Sequence, residues 1–271
     1  MLRAAVQHWP SQRGRGRLIN TWRRCVPSHS ALAFEIGAGA FVHLELDDYM
    51  VQWAFVGDHD RDLDYRASLE LIEPAATVID VGANIGLWSL VAARRAGCVH
   101  AFEPAPSTFA RLRRNLDLNG MPNVVANRLA VDREGGTTSF YEAIESNSGG
   151  AGYLRRPGAP VEVTVERVTL DDYCRSRGIE RVGVLKLDIE GAEWLALQGA
   201  EELLGGAAPP AIFMELDGEL TRQFGWEPVD VLAWLRERDY RTWHAEPGGR
   251  LTDVAPGVGR DVIALHASWP L

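Results

Sequence analysis

Lysine is almost missing from this chain: of its 28 lysine and arginine residues, only Lys186 is lysine. Cysteine is scarce too, with Cys25, Cys98 and Cys174 widely spaced and no CxxC pair. That excludes a disulfide framework and a cysteine-built zinc cage, and it fits a reducing cytoplasm. No apolar run approaches the ~18 residues needed to cross a bilayer. No charged-then-apolar leader with a small-residue cleavage site is evident, so a soluble cytoplasmic protein is expected. Positive charge is in deficit: a net charge of -9 opposes the broad basic footprint that a nucleic-acid backbone demands, so no bulk nucleic-acid partner is expected. The full GxGxxG fingerprint of nicotinamide enzymes is also missing, as are internal repeats and low-complexity tracts.

What is present suits one large domain with an attachment: 271 residues, 46% of them hydrophobic, can bury a sizeable core. Residues 1–40 read as an irregular or partly helical basic arm, with Arg3, Arg13, Arg15, Arg17, Arg23 and Arg24 and no acidic residue before Glu35. The arm closes in the turn-like Gly37-Ala38-Gly39, and residues 41–271 form the main domain.

Phe41 to Leu46 alternates by two and predicts a strand paired with Val51 to Val56 across an Asp47-Asp48 turn. Arg66 to Ile72 looks helical and stops before Pro74. From Val78 onward, short apolar runs alternate with amphipathic stretches, the signature of an α/β fold whose doubly wound, mostly parallel sheet is covered on both faces. Strands are expected at Val78–Val81, Val99–Phe102, Val124–Val131, Val182–Ile189 and Ala211–Leu216. Helices are expected from Leu87 to Arg95 with Gly97 as cap, from Ser107 as cap to Asn119-Gly120, from Ala192 to Leu204, and from Pro228 to Arg238. Thr137–Tyr141 and Val161–Val165 read as a strand pair flanking a candidate lid, Ser146 to Gly152, and Tyr240–His244 with Val262–His266 as a closing antiparallel pair.

The chemistry concentrates at strand ends. The loop after Val78-Ile79-Asp80-Val81 holds Gly82 and Gly86, which let a backbone approach a ligand closely, and Asn84, which tolerates left-handed conformations. The helix start behind it suggests backbone N–H groups waiting for a polar ligand. Glu103 closes the next strand before Pro104, where an acidic group in a doubly wound sheet accepts hydrogen bonds from two ribose hydroxyls. In the fourth strand, Lys186 and Asp188 share one face about 7 Å apart at ~3.3 Å per residue, which suits either a structural pair or a catalytic one. Asp188, then Glu190, are the candidate general bases; Glu193 is assigned to capping or solvent. The same carboxylates with Glu215 are an alternative cation site, although no metal is assigned. Trp226, Trp234 and Trp243 are candidates for an acceptor wall, and His244 for a proton acceptor.

Taken in order, Val78–Gly86, Ala101-Phe102-Glu103-Pro104, Thr169-Leu170-Asp171-Asp172 and Leu185–Glu193 resemble the FkbM-type methyltransferase family. The resemblance spans roughly residues 50 to 216 and implies a Rossmann-like class I methyltransferase fold. It also implies S-adenosylmethionine as cofactor and a hydroxyl of a small molecule or saccharide as acceptor. It places Asp80, Gly82, Asn84 and Gly86 at the methionine end of that cofactor and Glu103 at its ribose. Asp132, or Asn127 in its stead, falls beside adenine. The competing expectations are an NAD-dependent oxidoreductase and a scaffold that binds the cofactor without turnover.

Overall fold

The structure, a computed structural model, describes residues 32–45, 47–56, 63–142, 150–155, 161–246, 250–254 and 261–269. It opens on a hairpin, β1 (Ala33–Gly37) and β2 (Ala40–His43), with Phe34 opposite Val42. Alternation turns Phe34, Ile36, Ala40 and Val42 inward. The strand expected at Phe41 therefore pairs backward with β1. Its expected partner, Val51 to Val56, lies instead in α1 (Tyr49–Val56). The reason is Asp48, whose carboxylate accepts from the Val51 N–H at 3.1 Å and so starts a helix where the sequence suggests a turn. The hairpin also straddles residue 40, so Ala33–Gly37 is strand rather than irregular arm; residues 1–31 lie outside the described residues. Next comes α2 (Leu63–Glu70), close to its expected place.

The main unit runs β3 (Thr77–Val81), α3 (Leu87–Ala92), β4 (Cys98–Phe102), α4 (Pro106–Asn119) and β5 (Val124–Asn127). A small sheet follows, with β6 (Ala130–Val131), β7 (Gly136–Glu142) and β8 (Val161–Val168) in the order β6-β8-β7. The chain then adds α5 (Leu170–Arg177), β9 (Val184–Leu187), α6 (Glu193–Gln198), α7 (Glu201–Leu204) and β10 (Ala211–Met214). It closes with α8 (Gly218–Gln223), α9 (Pro228–Arg236), β11 (Tyr240–Glu246), β12 (Arg250–Asp253) and β13 (Val262–His266). The large sheet has the order β12-β11-β13-β10-β9-β3-β4-β5; β10 through β5 are parallel, and β11 and β13 are antiparallel, as expected.

Alternate residues of each strand feed opposite cores. Ile79, Leu185 and Ile212 pack with Leu170, Leu197 and Leu235 on one face, while Val78, Val184 and Phe213 pack with Tyr65, Leu69 and Trp88 on the other. Burial on both faces explains why these strands read as continuous apolar runs. No helix among the described residues is long and apolar enough to cross a membrane.

Several local expectations give way to packing. The third strand splits: β5 stays in the large sheet, and Ala130-Val131 leaves it to pair with Arg167-Val168. Ala93, not Gly97, caps α3, and a Cβ on Gly97 would sit 2.5 Å from the Ala75 carbonyl oxygen, so that glycine serves a close backbone approach. Ala105 precedes Pro106 as the cap of α4, while the Ser107 N–H and hydroxyl both donate to Glu142. The helix expected from Ala192 to Leu204 breaks at Gly199. A Cβ there would lie 2.2 Å from the Asp132 carbonyl oxygen, and the Asp171 carboxylate caps the second segment through the Glu202 and Leu203 N–H groups, each at 2.9 Å. Of the candidate lid, Ser146–Gly149 lie outside the described residues, and Gly152 bridges Tyr141.

The side of β2 turned away from β1 meets a helix, not a strand. Asn119 of α4 accepts from the Phe41 N–H at 2.7 Å and donates to the Phe41 carbonyl at 2.6 Å. One turn earlier, Asn115 accepts from the His43 N–H at 3.0 Å and donates to Ile85 O at 2.8 Å.

Candidate active site

At the end of β3, Gly82, Asn84 and Gly86 all take positive φ, at 80°, 51° and 93°. The loop is pressed onto the end of β9, since a Cβ on Gly82 would lie 1.9 Å from the Asp188 carbonyl oxygen. Its N–H groups do not wait for a ligand: those of Gly82 and Ala83 donate to Phe102 O, Asn84's to Glu103 Oε2 at 3.0 Å, Ile85's to Asn84 Oδ1, and Gly86's to Ala83 O. The cradle therefore works through its shape and through Glu103.

Glu103 is buried, and its other oxygen accepts from the Ala105 N–H at 2.9 Å. Burial pushes its pKa up to about 7, against the opposing pull of the Ala105 and Asn84 hydrogen bonds. A carboxylate has about four lone-pair positions, so two remain for a ligand.

Behind the loop, Asp80 is fully buried, accepting from the Ser89 hydroxyl and pairing with Lys186 at 3.0 Å. The Lys186 ammonium also meets Asp188 Oδ2 at 3.3 Å and Gly82 O at 3.3 Å. Three oxygens thus lie within 3.3 Å of one buried nitrogen, a crowding that suits a compact ammonium rather than a planar guanidinium and accounts for lysine here in a chain that otherwise uses arginine. Burial pulls the Lys186 pKa down, but Asp188 and Asp80 together outweigh it and hold the ammonium above its ordinary range.

These elements border a cavity of about 260 Å³. Gly82, Asn84, Glu103 and Pro104 line it with Leu129, Ala130 and Val131, and Lys186, Asp188, Glu190 and Glu215 add a group of ionisable side chains, termed its floor. Asp80 and Gly86 support the loop without reaching the wall. Asn127 and Asp132 are likewise off it. Asn127 binds Ala101 O, Val125 O and the Tyr173 hydroxyl, and Asp132 holds Arg167 at 3.0 Å.

The expected tryptophan wall is elsewhere. Trp226 stacks on Phe224 at 5.2 Å, Arg238 lies 3.6 Å over Trp234, and Trp243 packs against the core containing Tyr65. Trp53 and Trp88 line the cavity instead, with Met50, Tyr65, Phe213 and Asp261. Sequence reasoning missed them because Trp53 fell in a misread strand and Asp261 reaches the site only through the antiparallel return of β13. His244 is buried, not superficial, and binds Asp261 O at 2.8 Å.

The acidic groups divide by role. Glu193 is buried and accepts from the Ile189 N–H at 2.9 Å and the Gly191 N–H at 3.2 Å, so it caps the loop rather than meeting solvent. Glu215 is pushed up to about 9 by burial first, then by Asp188, Glu190, Glu193 and Asp261. Among the described residues no three His, Cys, Asp or Glu side chains are arranged to hold a metal ion, so the alternative site around Asp188, Glu190 and Glu215 is not assembled.

Glu193 carries a pH prediction. Burial pushes its pKa to about 7, from an ordinary 4.5. Between those values the folded state keeps a proton that the unfolded chain has lost, so this stability is full at the acidic end and lost as pH rises through about 7. The melting temperature is expected to fall from about pH 5 to about pH 7.5, and Glu193→Gln should flatten the fall. Calorimetry across that range checks it; an identical slope in the variant would contradict it.

The sequence is similar to known proteins. The family model described as the Methyltransferase FkbM domain matches residues 80–242. The 31-O-demethyl-FK506 methyltransferase FkbM of Streptomyces tacrolimicus is 34% identical over 170 residues, covering 51% of this chain and 64% of that protein. The methyltransferase SdnD of Sordaria araneosa is 33% identical over 158 residues, 46% of this chain; the match spans only 60% of that relative's length. The hexuronic acid methyltransferase AglP of Haloferax volcanii is 30% identical over 177 residues, covering 65% of this chain and 68% of that protein. The crystal structure of methyltransferase FkbM from Methylobacillus flagellatus aligns over 80% of this chain and 55% of that one at 17% identity, with a TM-score of 0.42. The matched segment begins at Asp80, inside the strand that carries the glycine loop, and runs through Glu103 and the Lys186–Asp188 pair into β11, so that most of this chain belongs to the FkbM methyltransferase domain family.

Proposed function

We propose that this chain transfers a methyl group from S-adenosylmethionine to a hydroxyl of a small-molecule or saccharide acceptor. The observation that carries this reading is Glu103, a buried carboxylate on the cavity wall, fixed by two backbone N–H groups beside a glycine loop with no room for a Cβ.

The residues present fit an adenosyl ligand. Glu103 would hold the ribose through its remaining lone pairs, and the apolar Leu129 to Val131 stretch offers a surface for the base. Gly82 and Asn84 would border the methionine end. When bound, the cofactor supplies a methyl group on a positively charged sulfur.

The chain's own part is to fix the acceptor and remove a proton. Asp188, 46% exposed at its side chain and lining the cavity, would take the hydroxyl proton; Glu190 is second choice. Lys186 stays charged and orients Asp188. Glu215, holding its own proton near neutral pH, is not a base there.

Calorimetry with S-adenosylhomocysteine and NAD tests the reading; NAD binding without S-adenosylhomocysteine would overturn it. Glu103→Ala is expected to weaken S-adenosylhomocysteine by more than about 100-fold, since two hydrogen bonds to a charged group contribute about 3 kcal/mol or more. In the unaltered chain affinity should also decline below about pH 7, where Glu103 takes up a proton, and Glu103→Gln should lose that dependence. Asp188→Ala should keep cofactor affinity and lose turnover.

A further inference from the structure

Part of the cavity lining comes from residues outside the matched family segment: Met50 and Trp53 on α1 and Tyr65 on α2. The rings of Trp53 and Tyr65, with that of Trp88, form a pre-set wall. Trp53 meets Tyr65 edge to face at 6.1 Å and 85°. The Trp88 indole N–H donates to Ser68 Oγ at 2.9 Å, the Ser68 hydroxyl donates to Tyr65 O at 2.6 Å, and the Tyr65 hydroxyl donates to Leu87 O at 3.3 Å. Side chains held in this way lose little freedom when a ligand arrives, so the wall binds more tightly than mobile rings would.

We propose that this wall and the Asp188–Glu215 floor form the acceptor subsite, which takes the apolar face of a hydroxylated ring and selects neutral or amine-bearing rings over anionic ones. The inference rests on the methyl-transfer reading above. Flat rings with one polar edge suit the C–H face of a pyranose or a macrocycle, while the floor accepts hydrogen bonds from its hydroxyls. An amine on that ring gains from both the ring faces and the acids beside Glu215 in the lining, Asp188, Glu190 and Asp261. A carboxylate does not: Asp188, Glu190, Glu215 and Asp261 line the same cavity, its Lys186 ammonium is already paired with Asp80 and Asp188, and a further negative charge would enter the field that already pushes Glu215 up. Because Trp53 comes from α1, the ring that fits is set by a part of the chain separate from the cofactor loop.

The test uses the full chain saturated with S-adenosylhomocysteine and three probes: methyl glucoside, methyl glucosaminide and methyl glucuronide. Saturation-transfer NMR and calorimetry should show the first two binding and the glucuronide at least about tenfold weaker. Trp53→Ala should weaken the glucoside about tenfold and leave S-adenosylhomocysteine within about twofold, with Trp53→Phe restoring most of the loss. Where Trp53→Ala fails to fold, Trp53→Leu gives the same comparison, since it keeps apolar volume and removes the flat ring. Equal or tighter glucuronide binding, no glycoside binding at all, or undiminished glucoside affinity without the ring overturns the inference. Failure of the unaltered chain to bind S-adenosylhomocysteine strikes the methyl-transfer reading instead.

Discussion

Gly82→Ala is expected to abolish S-adenosylhomocysteine binding and to cost more than about 4 kcal/mol of stability, a large share of the ~5–15 kcal/mol that holds a typical domain together. The left-handed φ of 80° alone accounts for only about 1 kcal/mol. The rest is contact. The new Cβ would lie 1.9 Å from Asp188 O, 2.9 Å from Asp188 C and 3.0 Å from the Ile189 side chain. The first two are backbone atoms, and the Asp188 N–H is itself tied to Val81 O at 3.1 Å, so relief requires the ends of β3 and β9 to part. Gly120→Ala is the control: its φ of 56° is also left-handed, but nothing lies within 4 Å of the added Cβ, and a loss of only about 1 kcal/mol is expected. Denaturant unfolding of both variants, with calorimetric titration, decides it. Equal losses would mean that the clash is not felt.

Lys186→Met is the second large effect. Methionine fills a similar volume but leaves Asp80, fully buried, with only the Ser89 hydroxyl. Removing one partner of a buried ion pair typically costs about 3–5 kcal/mol because the other charge stays behind. Adding Asp80→Asn should recover at least half of that, since an uncharged amide is far less costly to bury. Lys186→Arg is not expected to substitute, because its planar fork cannot meet the three acceptors around the ammonium. Unfolding curves for the single and double variants check this; a double variant no more stable than Lys186→Met would show that the stranded charge is not the cause.

The parallel sheet was legible because β3, β4, β9 and β10 are buried on both faces and so consist of nearly uninterrupted apolar residues. The glycine loop, Glu103 and the Lys186–Asp188 pair were legible for a related reason: each sits within a few residues of a strand end, where local order fixes position. What escaped depends on distance. Phe41 alternates equally well for either neighbour, and only the Asp48 cap turns Val51–Val56 into a helix. Gly199 breaks a continuous amphipathic pattern because Asp132, far away in sequence, leaves it no room. Trp53, Tyr65 and Asp261 reach the cavity through packing of the chain's two ends, for which no local spacing exists. The tryptophans after Leu216 misled because an indole suits a core as well as a ligand wall.

The asparagines on α4 that face β2 constrain the order of events when this chain folds. A two-stranded hairpin is marginal by itself in water, and here one flank gains its partners only after Asn115 and Asn119 have been aligned by a formed helix. The hairpin is therefore expected to dock on an already formed α4, and amide hydrogen exchange faster at Phe41 and His43 than in β3 and β4 would check it.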